Sequence, residues 1–211
     1  MKEDLKTGTT TIGLICKDGI VLAADKRASA GYLVAEKKMD KILPITDDIA
    51  VTTAGSVSDV QMLLKLIKAQ IKLVSYRRNK DLTVKEATNL LASMVYSAVR
   101  RPSMVPSITG FLVGGQDPEG FHLYEVGIAG SIIKSVDYKA AGSGMEFALG
   151  VLESSYTKDL PLKEAIKLAV KAVNTAIQRD IASGNGIDVV TITKEGQRRV
   201  LEKEINTNIL I

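Results

Sequence analysis

A chain of 211 residues, 45% hydrophobic and 25% charged, has the length and composition of one ordinary domain with a sizeable core. A net charge of +4, 4% aromatic residues and no tryptophan argue against the dense basic stripe and stacking platforms of a nucleic-acid binder. No apolar run approaches the roughly 18 residues of a membrane span, and one cysteine (Cys16) with one histidine (His122) excludes an internal disulfide and paired zinc ligands. The expectation is a reducing, cytoplasmic setting, with no metal and neither membrane nor nucleic acid as a partner.

The leader "MKEDLKTG" has no apolar core and does not read as a secretory signal. From Thr10 to Asp25 the pattern alternates and turns at Lys17-Asp18-Gly19, which predicts a β-hairpin. "KILPI" and "IAVTTAG" form a second β-rich pair around Thr46-Asp47-Asp48. The period then changes: Val60, Leu63, Leu64, Ile67, Ile71 and Val74 recur at helical spacing. A second helix is predicted from Thr83, with Glu86 completing a capping box and Ala87, Leu90, Leu91, Met94, Val95 and Ala98 as its apolar face. "SITGFLVGG", "FHLYEVGIA" and "SIIKSVDY" read as three further strands. A helix follows from Met145 to Tyr156, then a longer one from near Pro161 with Ala165, Leu168, Ala169, Ala172, Val173 and Ala176 on one face. The strand "IDVVTIT", a turn at Glu195-Gly196 and a charged tail close the chain. Tight turns between strands imply antiparallel sheets, and two helical pairs interleaved with strand blocks imply layers, sheets inside and helices outside.

Much familiar chemistry is missing. A Ser-His-Asp triad would have to be built on His122, and a Cys16–His122 dyad would need a thiol that sits in an apolar alternating strand, where a buried structural cysteine is the commoner case. Neither HExxH nor GxxxxGK[ST] occurs. "AGSG" at Ala141–Gly144 opens a helix and has the form of an anion site, though a tight turn is the simpler account. Any hydrolytic base must come from elsewhere. An α-amino group, with an ordinary pKa of roughly 7.7–8.0, is a base that needs no histidine. If Thr9 became the N-terminus, its hydroxyl and amine would supply nucleophile and base from one residue, and its branched Cβ would hold the hydroxyl in place. The hydroxyl could attack the carbonyl of Gly8, a residue with no side chain beside the bond to be cut. On the local sequence two accounts of residues 1–8 stand together: a leader to be removed, or a frayed terminus.

"GTTTIGL" followed by "DGIVLAADKRAS" resembles the start of proteasome β subunits, especially archaeal ones. The likeness continues through "TTAGSVSD", "FLVGG", "AAGSGMEFALGVLE" and "QRDIASGNGIDVVTIT", in the family's order and over nearly the whole chain from Thr9. It implies an α+β fold, the N-terminal nucleophile hydrolase fold: a four-layer α-β-β-α sandwich of two antiparallel sheets between helical layers. It also implies a propeptide, residues 1–8, removed by autocatalysis, and a single catalytic domain over residues 9–211. The assembly implied is a homo- or hetero-heptameric β ring stacked with proteasome α-subunit rings, fed unfolded polypeptide by an ATP-driven unfoldase. No cofactor is implied.

Matched position by position, the family's nucleophile falls on Thr9, its acidic residue on Asp25 and its lysine on Lys41, whose charge beside an amine would lower that amine's pKa. Gly55 matches the residue whose backbone N–H meets the developing oxyanion, a donor worth roughly 2.7–4 kcal/mol in such sites. Ser143, Asp180 and Ser183 match the residues that hold the terminal threonine and its proton network; by local pattern alone Ser183 is a helix-end polar residue and Asp180 a solvent-facing one. The main side-chain pocket falls on Ala28, Met39, Leu43, Thr53 and Val57, which implies cleavage after hydrophobic residues. Thr10 and Thr11 are expected simply to begin a strand. Set against the threonine peptidase are a non-catalytic, unprocessed β subunit, the bacterial two-ring relative of the proteasome, and an unrelated basic binding module.

Overall fold

The computed structural model describes residues 8–105 and 107–205, so residues 1–7 of the leader lie outside the described residues. β1 (Thr11–Cys16) and β2 (Gly19–Asp25) pair antiparallel across a two-residue turn, with Cys16 opposite Gly19. A small separate hairpin follows, β3 (Ala28–Ala30) with β4 (Leu33–Glu36), then β5 (Ile42–Pro44) and β6 (Ile49–Gly55). Helices α1 (Val57–Arg78) and α2 (Val84–Val99) precede β7 (Thr109–Asp117), β8 (Gly120–Val126), β9 (Ile132–Ser135) and β10 (Tyr138–Ala141). The chain continues through α3 (Met145–Ser155), α4 (Leu162–Ile177), β11 (Gly186–Thr193) and β12 (Gly196–Glu204).

Two five-stranded antiparallel sheets result, in the orders β10-β1-β2-β11-β12 and β5-β6-β7-β8-β9. Strand alternation sorts their side chains into layers. Ile20, Leu22, Ala50, Leu112, Leu123, Val190 and Ile192 meet between the sheets. Their neighbours point outward: Val51, Phe111, Val113 and Val126 pack under α1 and α2, while Ile12, Leu14, Val21, Ala23 and Val189 pack under α3 and α4. Each sheet is therefore buried on both faces, and the architecture is the expected α-β-β-α sandwich. The helix faces read from periodicity are the ones turned to the core, with Val74 near the C-terminal end of α1 and Leu90, Met94 and Ala98 of α2 only half-buried. The capping box at Thr83 and Glu86 is formed in both directions.

Three segments differ from the sequence pattern. "SIIKSVDY" is not one strand: β9 pairs with β8 in one sheet and β10 with β1 in the other, the change coming at Val136 and Asp137. A continuous β-rich run conceals such a crossing, because both halves satisfy the same propensity. The charged tail is β12, an edge strand on β11 whose exposed charges leave its outer side unattractive for further pairing. The β3–β4 hairpin has no buried face and so no alternation to read.

One consequence of the topology bears on chemistry. β1 lies between β10 and β2, with Thr11 opposite both Ala141 and Ala24. The residues just before β1 are thus set beside the β10–α3 turn on one side and Asp25 on the other.

Candidate active site

Thr9 is 4% exposed and Gly8 is buried beside it. The Thr9 hydroxyl donates to the Gly8 carbonyl oxygen at 2.6 Å, and the Lys41 ammonium donates to the same oxygen at 3.3 Å. Lys41 is also paired with Asp25 at 2.7 Å. Asp25 is wholly buried and accepts four hydrogen bonds: Lys41 Nζ and the Thr10 N–H on Oδ1, the Arg27 and Gly184 N–H groups on Oδ2. With all its acceptors facing donors, the carboxylate is held in one orientation. Burial pushes the Lys41 pKa below its ordinary value, against the opposing pull of Asp25.

A second network approaches from the other side. The Thr9 N–H donates to Ser143 Oγ at 3.2 Å, and Ser143 donates to Asp180 Oδ2 at 2.6 Å. Ser183 Oγ donates to the same Oδ2 at 2.6 Å and lies 2.7 Å from Thr10 Oγ1. A single carboxylate thereby collects two serine hydroxyls, which connect onward to the Thr9 nitrogen and the Thr10 hydroxyl. Asp180 and Ser183 lie in the loop after α4, which is pinned by the Ala182 N–H on Asp180 Oδ1 and by Arg27 on the Ile181 carbonyl and Asn185. Ser183 is 1% exposed, unlike a helix-end surface residue. The Ala141–Gly144 turn is no free anion site: the Gly144 N–H donates to the Thr9 carbonyl at 3.3 Å.

Gly55 ends β6 with φ +118, and a Cβ built there would lie 2.0 Å from the Ile108 carbonyl oxygen. Only glycine fits so close an approach. It borders a cavity of about 40 Å3 lined by Gly8, Thr9, Ala28, Ser29, Met39, Lys41, Thr53, Val57 and Val60. Four of the five expected pocket residues are there. Leu43 is not: it packs against the apolar core under α1 and α2, two residues along the chain from Lys41 of the cavity wall. Ser29 and Val60 line the cavity and carry no recognisable mark in sequence. Thr10 was also missed, since it precedes β1, is fully buried and belongs to the hydroxyl network rather than to the strand.

The other candidates play no part here. Cys16 is 5% exposed, donates to the Gly19 carbonyl, and burial raises its pKa, as suits an inert structural thiol. His122 pairs with Asp117, whose other oxygen takes the Val84 N–H at the start of α2. Among the described residues no group of three or more His, Cys, Asp or Glu side chains is placed to hold a metal ion, and no helix is long and apolar enough to cross a membrane.

Comparison with known proteins gives one consistent answer. A family model described as proteasome subunit matches residues 5–192. Proteasome subunit beta 2 of Pyrococcus abyssi is 48% identical over 193 residues, covering 92% of this chain and 90% of the relative. Proteasome subunit beta of Ferroglobus placidus is 44% identical over 198 residues, 94% and 92% of the two chains. Proteasome subunit beta of Archaeoglobus profundus is 41% identical over 206 residues, 98% and 94%.

Proposed function

The chain belongs to the proteasome subunit family, as a β subunit that assembles into rings with α subunits, and from that premise we propose that it is a threonine endopeptidase activated by loss of residues 1–8. The observation that carries this reading is the Thr9 hydroxyl resting against the Gly8 carbonyl while Lys41 donates to the same oxygen.

In the first reaction Thr9 Oγ bonds to the Gly8 carbonyl carbon, and the Gly8–Thr9 C–N bond breaks as the nitrogen takes up a proton. The product is an ester; water then attacks it, releases residues 1–8 and restores the hydroxyl. At this stage the Thr9 nitrogen is an amide and no base. Lys41 is the amine in contact with the Gly8 carbonyl, and burial lowers its pKa from the ordinary lysine value. Lys41 also polarises the carbonyl under attack.

Cleavage frees the Thr9 amine, held by Ser143 where the amide is now held. That amine becomes the base for substrate: it accepts the hydroxyl proton as Oγ attacks, then delivers it to the departing amine. The Gly55 N–H is the oxyanion donor in this scheme, and a charged Lys41 keeps the amine's pKa down by like-charge repulsion. Water opens the acyl-enzyme. The residue before the cut sits between Ala28, Met39, Thr53 and Val57, an uncharged wall that favours hydrophobic side chains. Unfolded polypeptide is the substrate, delivered by an ATP-driven unfoldase to a heptameric β ring in the cytoplasm.

Co-expression with an α subunit tests this through the intact mass of the β chain. Loss of residues 1–8 and peptide hydrolysis are expected, with both abolished in Thr9→Ala while particles still assemble. A full-length chain in assembled wild-type particles would overturn the reading in favour of a purely structural subunit.

A further inference from the structure

Two Asp-Lys dipeptides occur at the site, Asp25-Lys26 at the end of β2 and Asp40-Lys41 before β5. They pair crosswise. Asp25 takes Lys41 at 2.7 Å, and Lys26 approaches Asp40 at 3.7 Å. The Met39 N–H donates to the Lys26 carbonyl at 2.9 Å, tying the two segments together by backbone as well. Successive side chains in extended segments diverge, so one exchange faces Thr9 and the other faces away.

The rear exchange is anchored more heavily than the front one. Lys26 is 1% exposed and donates to both oxygens of the equally buried Asp188, at 3.1 and 3.2 Å, and to Glu202 at 2.9 Å. Arg199 reaches Asp40 at 3.1 Å, Glu202 at 3.6 Å and Asp188 at 3.7 Å. Gly186 makes the room: a Cβ there would lie 2.9 Å from Lys26 Cδ. Nothing in the threonine chemistry uses these groups, yet Lys26 and Asp188 are buried at a desolvation cost that packed apolar side chains would not carry. What they fix is Asp40, and with it the next residue, Lys41.

We propose that the cluster of Lys26, Asp188, Arg199 and Asp40 is a positioning device that sets the reach of Lys41 to Asp25 and to the Thr9 nitrogen. This rests on the assignment of Thr9 as nucleophile. If the cluster is loosened, Lys41 draws back from the amine. The charged groups facing that amine and Lys41 are Asp25 from β2, Arg27 just beyond it and Asp180 from the loop after α4. With Lys41 further off, the two carboxylates dominate, and the amine's pKa rises.

The test uses assembled particles carrying Lys26→Met with Asp188→Leu, which removes the pair without leaving a buried charge alone. Expected are a kcat lower by between about 10- and 100-fold with little change in KM, slower Gly8–Thr9 cleavage, and an acid limb of kcat/KM moved to higher pH. A change in folded fraction alone would scale the profile without moving its limb. Wild-type kcat and an unmoved limb would overturn the proposal. Should the double variant fail to assemble, Asp40→Asn decides: Asp40 is half exposed, so its loss is tolerated by the fold. The same upward movement is expected, with recovery in Asp40→Glu, and an unchanged profile in Asp40→Asn would overturn the proposal too. Thr9→Ala in the otherwise wild-type chain keeps the two ideas apart. Retained activity there sinks the nucleophile assignment whatever the cluster variants do.

Discussion

Gly8→Ala should stall the maturation of this subunit without harming the mature enzyme. A Cβ built on Gly8 lies 2.0 Å from Ala182 Cβ, 2.4 Å from the Ala182 carbonyl oxygen and 2.7 Å from its carbonyl carbon. Ordinary contact begins at roughly 3.5 Å, so Gly8 or Ala182 must move by more than about 1 Å. Ala182 cannot yield cheaply. Two of the three contacts are backbone, and the loop is fastened on both sides of it, by Asp180 to Ser143 and by Gly184 to Asp25. The displacement therefore falls on Gly8, and it carries the carbonyl away from Thr9 Oγ1 and Lys41 Nζ.

A misplacement of about 1 Å between reacting groups costs on the order of 100-fold in rate. Self-cleavage of Gly8→Ala, followed by intact mass after mixing with the α subunit, should be slower by about that factor. Ala182→Gly on the same chain removes the closest contact and leaves the two backbone ones, so partial recovery is expected. A chain made with Thr9 exposed by an added protease should be fully active, because Gly8 has already left. Wild-type processing of Gly8→Ala would refute the steric argument and with it the assignment of the observed Gly8–Lys41 contact to the reacting state.

Asp25→Asn should depress peptide hydrolysis by at least about 100-fold, because an amide cannot present oxygen to donors on both of its arms and because Lys41 loses its counter-charge. The stability of that variant has a definite pH sign. Burial already lowers the folded pKa of Lys41, so the unfolded chain binds more protons between that value and the ordinary lysine value of about 10.4. Stability rises with pH through this window, and Asp25→Asn should extend the rise to lower pH in denaturant titrations. Leu43→Ala should cost about 1–3 kcal/mol of stability in thermal melts while leaving the preferred residue before the cut unchanged in peptide-library digests. A changed preference would return Leu43 to the pocket. Thr83→Ala removes the hydroxyl half of the α2 capping box, the acceptor for the Glu86 N–H, and should cost about 1 kcal/mol by the same melts, with hydrolysis unaffected.

Much of the fold was legible because it is local. The buried faces of α1, α2 and α4 follow from 3.6-residue spacing, and the β1–β2 hairpin from its turn. The crossing at Val136–Asp137 was not, since which sheet a strand joins depends on partners far away in the chain: β10 needs β1, and β9 needs β8. The same division runs through the site. Thr9, Thr10 and Thr11 are all buried, and no periodicity separates them. They are told apart by Ser143, 134 positions on from Thr9, and Ser183, 173 on from Thr10. The lone histidine and the polar leader pointed toward Thr9, and the resemblance supplied its partners. Nothing local marked Thr10.

Lys26 and Lys41 show the limit most clearly. Each follows an aspartate, each would pass for a solvated surface lysine, and both are buried. Sequence spacing cannot rank them as proton-exchanging groups; their partners do. Burial pulls the Lys26 pKa down, but Glu202 and Asp188 together carry it above the ordinary value. For Lys41 burial outweighs the single carboxylate in contact, Asp25, and the pKa falls. One buried lysine is thus locked in its charged form and serves as an anchor. The other has its pKa lowered by burial and donates to the Gly8 carbonyl, where its charge bears on the bond to be cut. The two carboxylates that Lys26 holds and Lys41 does not come from β11 and β12, strands at the far end of the chain, so the division of labour between two identical dipeptides is a property of the sheet and not of either segment.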